Sequence, residues 1–86
     1  MNIYYSELFA EKVKQLPTEV KRILKKKLEL MLENPRHPSL RNKKIQGQDN
    51  IFEASVTMDI RITWQYAGDG ILLRNIGEHV KTLKNP

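Results

Sequence analysis

Apolar residues follow two different rhythms along this chain. After a short opening run, NIYY, which reads as a strand, the spacing turns helical. Leu8, Phe9, Val13 and Leu16 recur at the three- and four-residue steps of one helix face, and Ser6 stands where an N-cap is needed. Pro17 interrupts the run. Thr18 is then expected to cap a second helix with Glu19 in its first turn, and Val20, Ile23, Leu24, Leu28 and Met31 supply its apolar stripe. Asn34-Pro35 should end that helix, because proline disfavours the helical conformation at the residue before it. The brief interruption between the two helices predicts an αα-hairpin.

From residue 51 the rhythm changes to alternation. In IFEASV, Phe52, Ala54 and Val56 share one face, and Ile51, Glu53 and Ser55 the other. In IRITWQY, Ile60, Ile62, Trp64 and Tyr66 oppose Arg61, Thr63 and Gln65. The linking TMD is short enough for a hairpin, and AGDG is a second turn signal. ILLRNI forms a third strand whose mixed pattern implies burial on both faces, and LRNKKI offers a further strand at the edge. The expected fold class is therefore α+β. A short N-terminal strand and an αα-hairpin precede an antiparallel β-meander, with the helices on its Phe52/Ile62/Trp64 side and a polar face left open.

Composition narrows the class. The 86 residues suit one domain, 1–86. A net charge of +5 favours an acidic partner, either nucleic acid or an acidic protein segment. With no cysteine there is neither a disulfide nor a thiolate metal site. MNIYYSELFA lacks the basic and long apolar regions of a secretory signal, and no apolar run approaches the ~20 residues of a membrane span. A cytoplasmic location without membrane contact fits these features.

Few residues carry candidate chemistry. Arg61 sits mid-strand among apolar neighbours, and its guanidinium has the fork of donors that fits a phosphate; a structural pair with Glu53 across the hairpin is the alternative. Arg74 is a second strand arginine. Arg41, Lys43 and Lys44 precede the sheet, either as a phosphate-binding footprint or as guards of an edge strand. KRILKKK, with Lys21, Arg22, Lys25, Lys26 and Lys27, reads first as a solvated helix face. His79, just past a strand end, has the chemistry of a proton donor or acceptor near neutral pH. His37 lies in a polar connector. The phosphate-binding GxxxxGK[ST] and GxGxxG loops, the HExxH helix and any Cys/His cluster are absent from the sequence.

The order of these parts resembles the RelE/ParE superfamily of type II toxin–antitoxin toxins, and most of all its RelE- and YafQ-type mRNA interferases. The residues that carry the resemblance are LPTEVKRILKKKLELMLENP, then HPSLRNKKIQG with its L-x-x-K-x-I-x-G spacing, then R-I-T-W and the strand-terminal G-x-H. The resemblance spans nearly the whole chain. It implies ribosome-dependent mRNA cleavage, with the 2′-hydroxyl attacking the adjacent phosphodiester and no metal or other cofactor. It also implies mRNA and the ribosome as targets, and a cognate antitoxin as partner. By position, Arg61 would hold the scissile phosphate and His79 would be the acid or base. Glu53 falls at an active-face position, and Arg41, Lys43, Lys44 and Arg74 would grip RNA. The sequence departs from the pattern at Val80, where relatives often carry an acidic residue, and at Leu83, where they carry an aromatic. Two alternatives stay open. One is a ParE-like gyrase inhibitor; the other is a toxin homologue that acts only by binding its antitoxin.

Overall fold

Ser6 closes the first helical turn: its Oγ accepts from the Phe9 amide at 3.0 Å and donates to the Arg74 carbonyl at 2.6 Å. One hydroxyl thus caps a helix and ties it to a strand far along the chain. In this computed structural model, which describes residues 2–86, the elements run as follows. Strand β1 is Asn2–Tyr5, and helices α1 and α2 are Glu7–Lys14 and Thr18–Glu33. A 3-10 turn, Pro38–Leu40, leads to β2 (Lys43–Lys44), β3 (Phe52–Ser55), β4 (Ile60–Ala67), β5 (Gly70–Glu78) and a short helix α3 (His79–Lys84). The sheet order is β1-β5-β4-β3-β2. Strands β2 to β5 form the expected antiparallel meander, whereas β1 adds parallel to β5.

The α+β class, the helical hairpin and its proline boundaries stand as the pattern predicts. Two local expectations do not. Pro17, not Thr18, occupies the cap position of α2; it offers no side-chain acceptor, and its carbonyl takes the first helical bond from Lys21 at 3.0 Å. Leu8 is exposed. Helix α1 is only eight residues long and buries Phe9 alone.

The main core lies between the helices and one sheet face. Phe9, Leu24, Met31, Leu40, Ile62 and Trp64 are its large members. Phe52 stacks on Trp64 at 4.8 Å between ring centres, and the Trp64 indole N–H donates to Asn42 Oδ1 at 2.9 Å, so the buried donor is satisfied.

The mixed pattern of the last strand has two causes, burial on both faces at Asn75 and Ile76, as its sequence implies, and a break in register. Thr63 pairs with Asn75, but Trp64 pairs with Leu73, which leaves Arg74 as the extra residue of a β-bulge. The bulge shifts the phase of alternation. Ile71 and Leu73 before it and Ile76 after it all belong to the same core.

The other sheet face is not simply solvated. Glu53, Ser55, Thr63 and Asn75 are all buried there. Helix α3 and the residues after it fold back over them, and the backbone oxygens of Asn85 and Pro86 accept from three donors. Thr63 Oγ1 donates to Pro86 O at 2.9 Å, Asn75 Nδ2 to Asn85 O at 2.8 Å and Arg74 Nε to Pro86 O at 3.0 Å. Buried polar groups require partners, and this strap supplies them for Thr63, Arg74 and Asn75.

At the opposite sheet edge, β1 is tied to the β4–β5 turn. Asp69 accepts from the Tyr4 hydroxyl at 2.8 Å and from Asn2 Nδ2 at 2.7 Å. The Tyr4 bond first, and the Asn2 bond second, hold the Asp69 carboxyl below the usual aspartate range, while the bond to Asp69 raises the Tyr4 phenol. Among the described residues no helix is long and apolar enough to cross a membrane.

Candidate active site

Three elements bring three side chains together on the strapped face. Glu53 projects from β3, where its Cα partners are Lys43 and Thr63. Arg61 projects from β4 between Ser55 and Gly77. His79 opens α3, and its amide donates to the Asp59 carbonyl at 3.0 Å, which pins the helix start against the β3–β4 turn. Arg61 therefore faces away from α1 and α2, as strand alternation predicts.

Glu53 is the centre of the group. Its Oε1 lies 3.4 Å from Arg61 Nε and 3.3 Å from His79 Nδ1. The Glu53 side chain is only 4% exposed and that of Arg61 13%, whereas His79 keeps 38%. Both approaches reach ion-pair distance without hydrogen-bond geometry. Glu53 Oε2, His79 Nδ1 and Thr82 Oγ1 are buried with no hydrogen bond among the described residues. Orphans of this kind are uncommon in a native interior and often mark a site held ready for another group. His79 Nε2 is not among these buried atoms.

Arg61 has a second set of partners. Its Nη1 donates to the carbonyls of Thr57 and Met58, at 2.5 and 2.6 Å, and so closes the β3–β4 turn. Of the two sequence readings of this arginine, the pair with Glu53 is present. Arg61 also sits beside His79 with Nη2 uncommitted among the described residues. Gly77, its partner on β5, leaves little spare room: a Cβ there would lie 3.0 Å from Thr82 Oγ1.

The remaining expected residues scatter. A cavity of about 540 Å³ is lined by Arg61 and His79 together with Met58 and Val80. Lys43 and Lys44 border a neighbouring cavity with Glu53 and Leu83. The two positions at which the sequence departs from the toxin pattern thus flank the cluster on either side. Arg41 is not beside Lys43 and Lys44 but in a third cavity with Lys27. Arg74, as the bulge residue, is bound to Gln65 and to the terminal strap. His37 is structural: its Nδ1 accepts from the Ser39 amide at 3.1 Å and caps the 3-10 turn. Helix α3 and Thr82 were missed by pattern reading. The available signal was His79, Thr82 and Leu83 at helical spacing, too short a run to stand out. Among the described residues no group of His, Cys, Asp or Glu gathers in a way that could hold a metal ion.

The fold is shared with solved toxins of the RelE/ParE type. Among solved structures, that of YafQ from E. coli strain BL21(DE3) matches at TM-score 0.78 and 19% identity, over 94% of this chain and 96% of that one. A chain of the RelB–RelE antitoxin–toxin complex from Methanococcus jannaschii matches at 0.76 and 20% identity, over 96% and 99%. The YoeB/ParE toxin from Agrobacterium tumefaciens matches at 0.79 with only 9% identity, over 92% and 99%. No protein-family model matches this sequence, and no curated protein matches it either.

Proposed function

We propose that this chain is the toxin of a type II toxin–antitoxin pair and that it cleaves mRNA on the ribosome. The observation that carries the reading is the contact of one buried carboxylate with both Arg61 and His79. Strand cleavage by the substrate's own 2′-hydroxyl needs charge stabilisation on the phosphate and proton transfer at two oxygens. Arg61 Nη2 reaches a phosphate oxygen and balances the charge that grows there. Protonated His79 gives its Nε2 proton to the departing 5′ oxygen. The 2′ oxygen bonds to phosphorus as its proton leaves to solvent, so the products are a 2′,3′-cyclic phosphate and a 5′-hydroxyl. Glu53 is too deep to touch substrate; its Oε1 beside Nδ1 orients the ring and balances the imidazolium charge. Glu53 is thus a positioning residue, with Arg61 and His79 at the reacting atoms. Lys43 and Lys44 hold flanking backbone by charge, and Arg74 supports the strap. The antitoxin pairing rests on the fold, which includes chains solved within antitoxin–toxin complexes. A cytoplasmic setting and a single domain over 1–86 complete the reading.

A second reading has its own observation. Arg61 Nη1 is committed to the turn and Nε faces Glu53, as a purely structural arginine would be, and this favours a toxin homologue that only binds its antitoxin. Expression of the chain with and without His79→Gln, which keeps the fold, read by growth and by mapping message ends on ribosomes, decides. Nuclease action gives growth arrest and new 5′ ends that the variant lacks. Growth arrest with intact message and induced DNA damage points to gyrase instead, and no arrest at all favours the binding module.

A further inference from the structure

The basic residues at the sheet margin fall into two separate groups. Lys43 and Lys44 lie beside Glu53, whereas Arg41 and Lys27 share a cavity of about 200 Å³ with Ser39 and Ser55 at the outer edge of β3. Strand β2 pairs only with Phe52 and Glu53, so the rest of that edge has no strand beside it. Lys27 is anchored there through a bond from Nζ to Ser39 O at 3.1 Å. The Arg41 guanidinium is exposed and makes no hydrogen bond or ion pair among the described residues. Its backbone is left-handed, with φ 49°, which a side-chain-bearing residue adopts only under constraint.

Met58 links this cavity to the reacting centre. It lines both, and at 82% exposed it is the most exposed large apolar side chain described. Ser55 on the one side and Arg61 on the other are Cα partners, so the two cavities lie one strand apart, about 5 Å. An exposed methionine has no packing role here. Its flexible, polarisable thioether is suited to lie against an aromatic ring.

Resting on the nuclease reading, we propose that Arg41 and Lys27 form a second phosphate site for single-stranded RNA, and that Met58 packs against the nucleobase between that phosphate and the one at Arg61 and His79. A guanidinium fork, an ammonium and a serine hydroxyl are the donor set a phosphodiester takes. A poly-glutamate peptide would use the same cations but would leave Met58 without an aromatic ring to cover.

The test is binding of a short RNA with a 2′-deoxy sugar at the reactive position and 2-aminopurine beside it, followed by anisotropy and fluorescence across a salt series. Arg41→Asn keeps the left-handed backbone accessible and should flatten the dependence of log K on log salt by about 0.7, one phosphate contact on a single strand. Lys27→Gln should do the same. Met58→Ser should abolish the 2-aminopurine change and keep the slope. Lys14→Gln, exposed on α1, should alter neither. Equal slopes for wild type and Arg41→Asn, equal losses from Lys14→Gln, displacement of the RNA by a poly-glutamate peptide at matched charge, or no binding by wild type each overturn the proposal. Cleavage on ribosomes with unaltered slopes removes this RNA path and leaves the nuclease reading; altered slopes without cleavage do the reverse.

Discussion

Oε1 of Glu53 lies 3.3 Å from Nδ1 of His79, joining the third strand to the first residue of the last helix. The contact turns one ring nitrogen inward, while the other is not among the buried atoms.

If that histidine transfers a proton, His79→Gln should preserve the fold and lower single-turnover cleavage of ribosome-bound message by roughly 10²–10⁴-fold, the span associated with a positioned acid or base. Glu53→Gln should cost less in rate, because glutamine keeps an oxygen beside Nδ1 of the ring. Adding an acidic residue at Val80 and an aromatic at Leu83 should raise activity. Identical rates in wild type, His79→Gln and the double replacement would make His79 a bystander.

Arg61 holds up the structure as well as the proposed chemistry. Arg61→Ala strands a buried carboxylate and removes the donor that closes the β3–β4 turn. Breaking a buried pair from one side costs about 3–5 kcal/mol, so a large drop in melting temperature is expected. Arg61→Ala with Glu53→Gln should recover part of it. A single variant as stable as wild type, yet inactive, would show that the arginine serves catalysis alone.

Gly70 is where β1 comes closest to β5. A Cβ there would sit 1.9 Å from the Asn2 carbonyl oxygen, a backbone atom that cannot move aside alone. Gly70→Ala should therefore push β1 off the sheet edge and destabilise by about 1–3 kcal/mol or more, as overpacking does. Amide exchange would show it, with protection lost first at Ile3 to Tyr5. Unchanged protection there would mean the strand pairing is looser than described.

Asp69 should titrate below the ordinary aspartate range. A carboxyl depressed in the folded state stabilises the fold above about pH 4, its unfolded value, and the contribution disappears as pH falls through the lower folded value. The raised Tyr4 phenol contributes below about pH 10 and is lost as pH rises past its folded value. Tyr4→Phe should move the Asp69 midpoint upward and weaken the acid dependence of stability. Carboxyl NMR titration reads both, and an unmoved midpoint would assign the shift to Asn2 instead.

Pattern alone placed the helical hairpin, its stop at Asn34-Pro35, and the two faces of β3 and β4, including Arg61 opposite Trp64. Periods of two and of three to four residues, caps and prolines act over a few neighbours, so they are written in a few neighbours. The sequence also offered Glu53, Arg61 and His79 as candidates, with an Arg61–Glu53 pair as one reading, because few residues in this chain carry suitable chemistry. It did not show that one Glu53 oxygen approaches both Arg61 and His79, that Arg41 keeps company with Lys27, or that the polar face lies under α3, Asn85 and Pro86. The bulge at Arg74 depends on how β5 registers against β4, and the strap on where Asn85 and Pro86 arrive after α3 turns back. Such contacts join residues distant in sequence. They exist only once the sheet has closed and each buried donor on it must find an acceptor, and that matching is made in the tertiary structure.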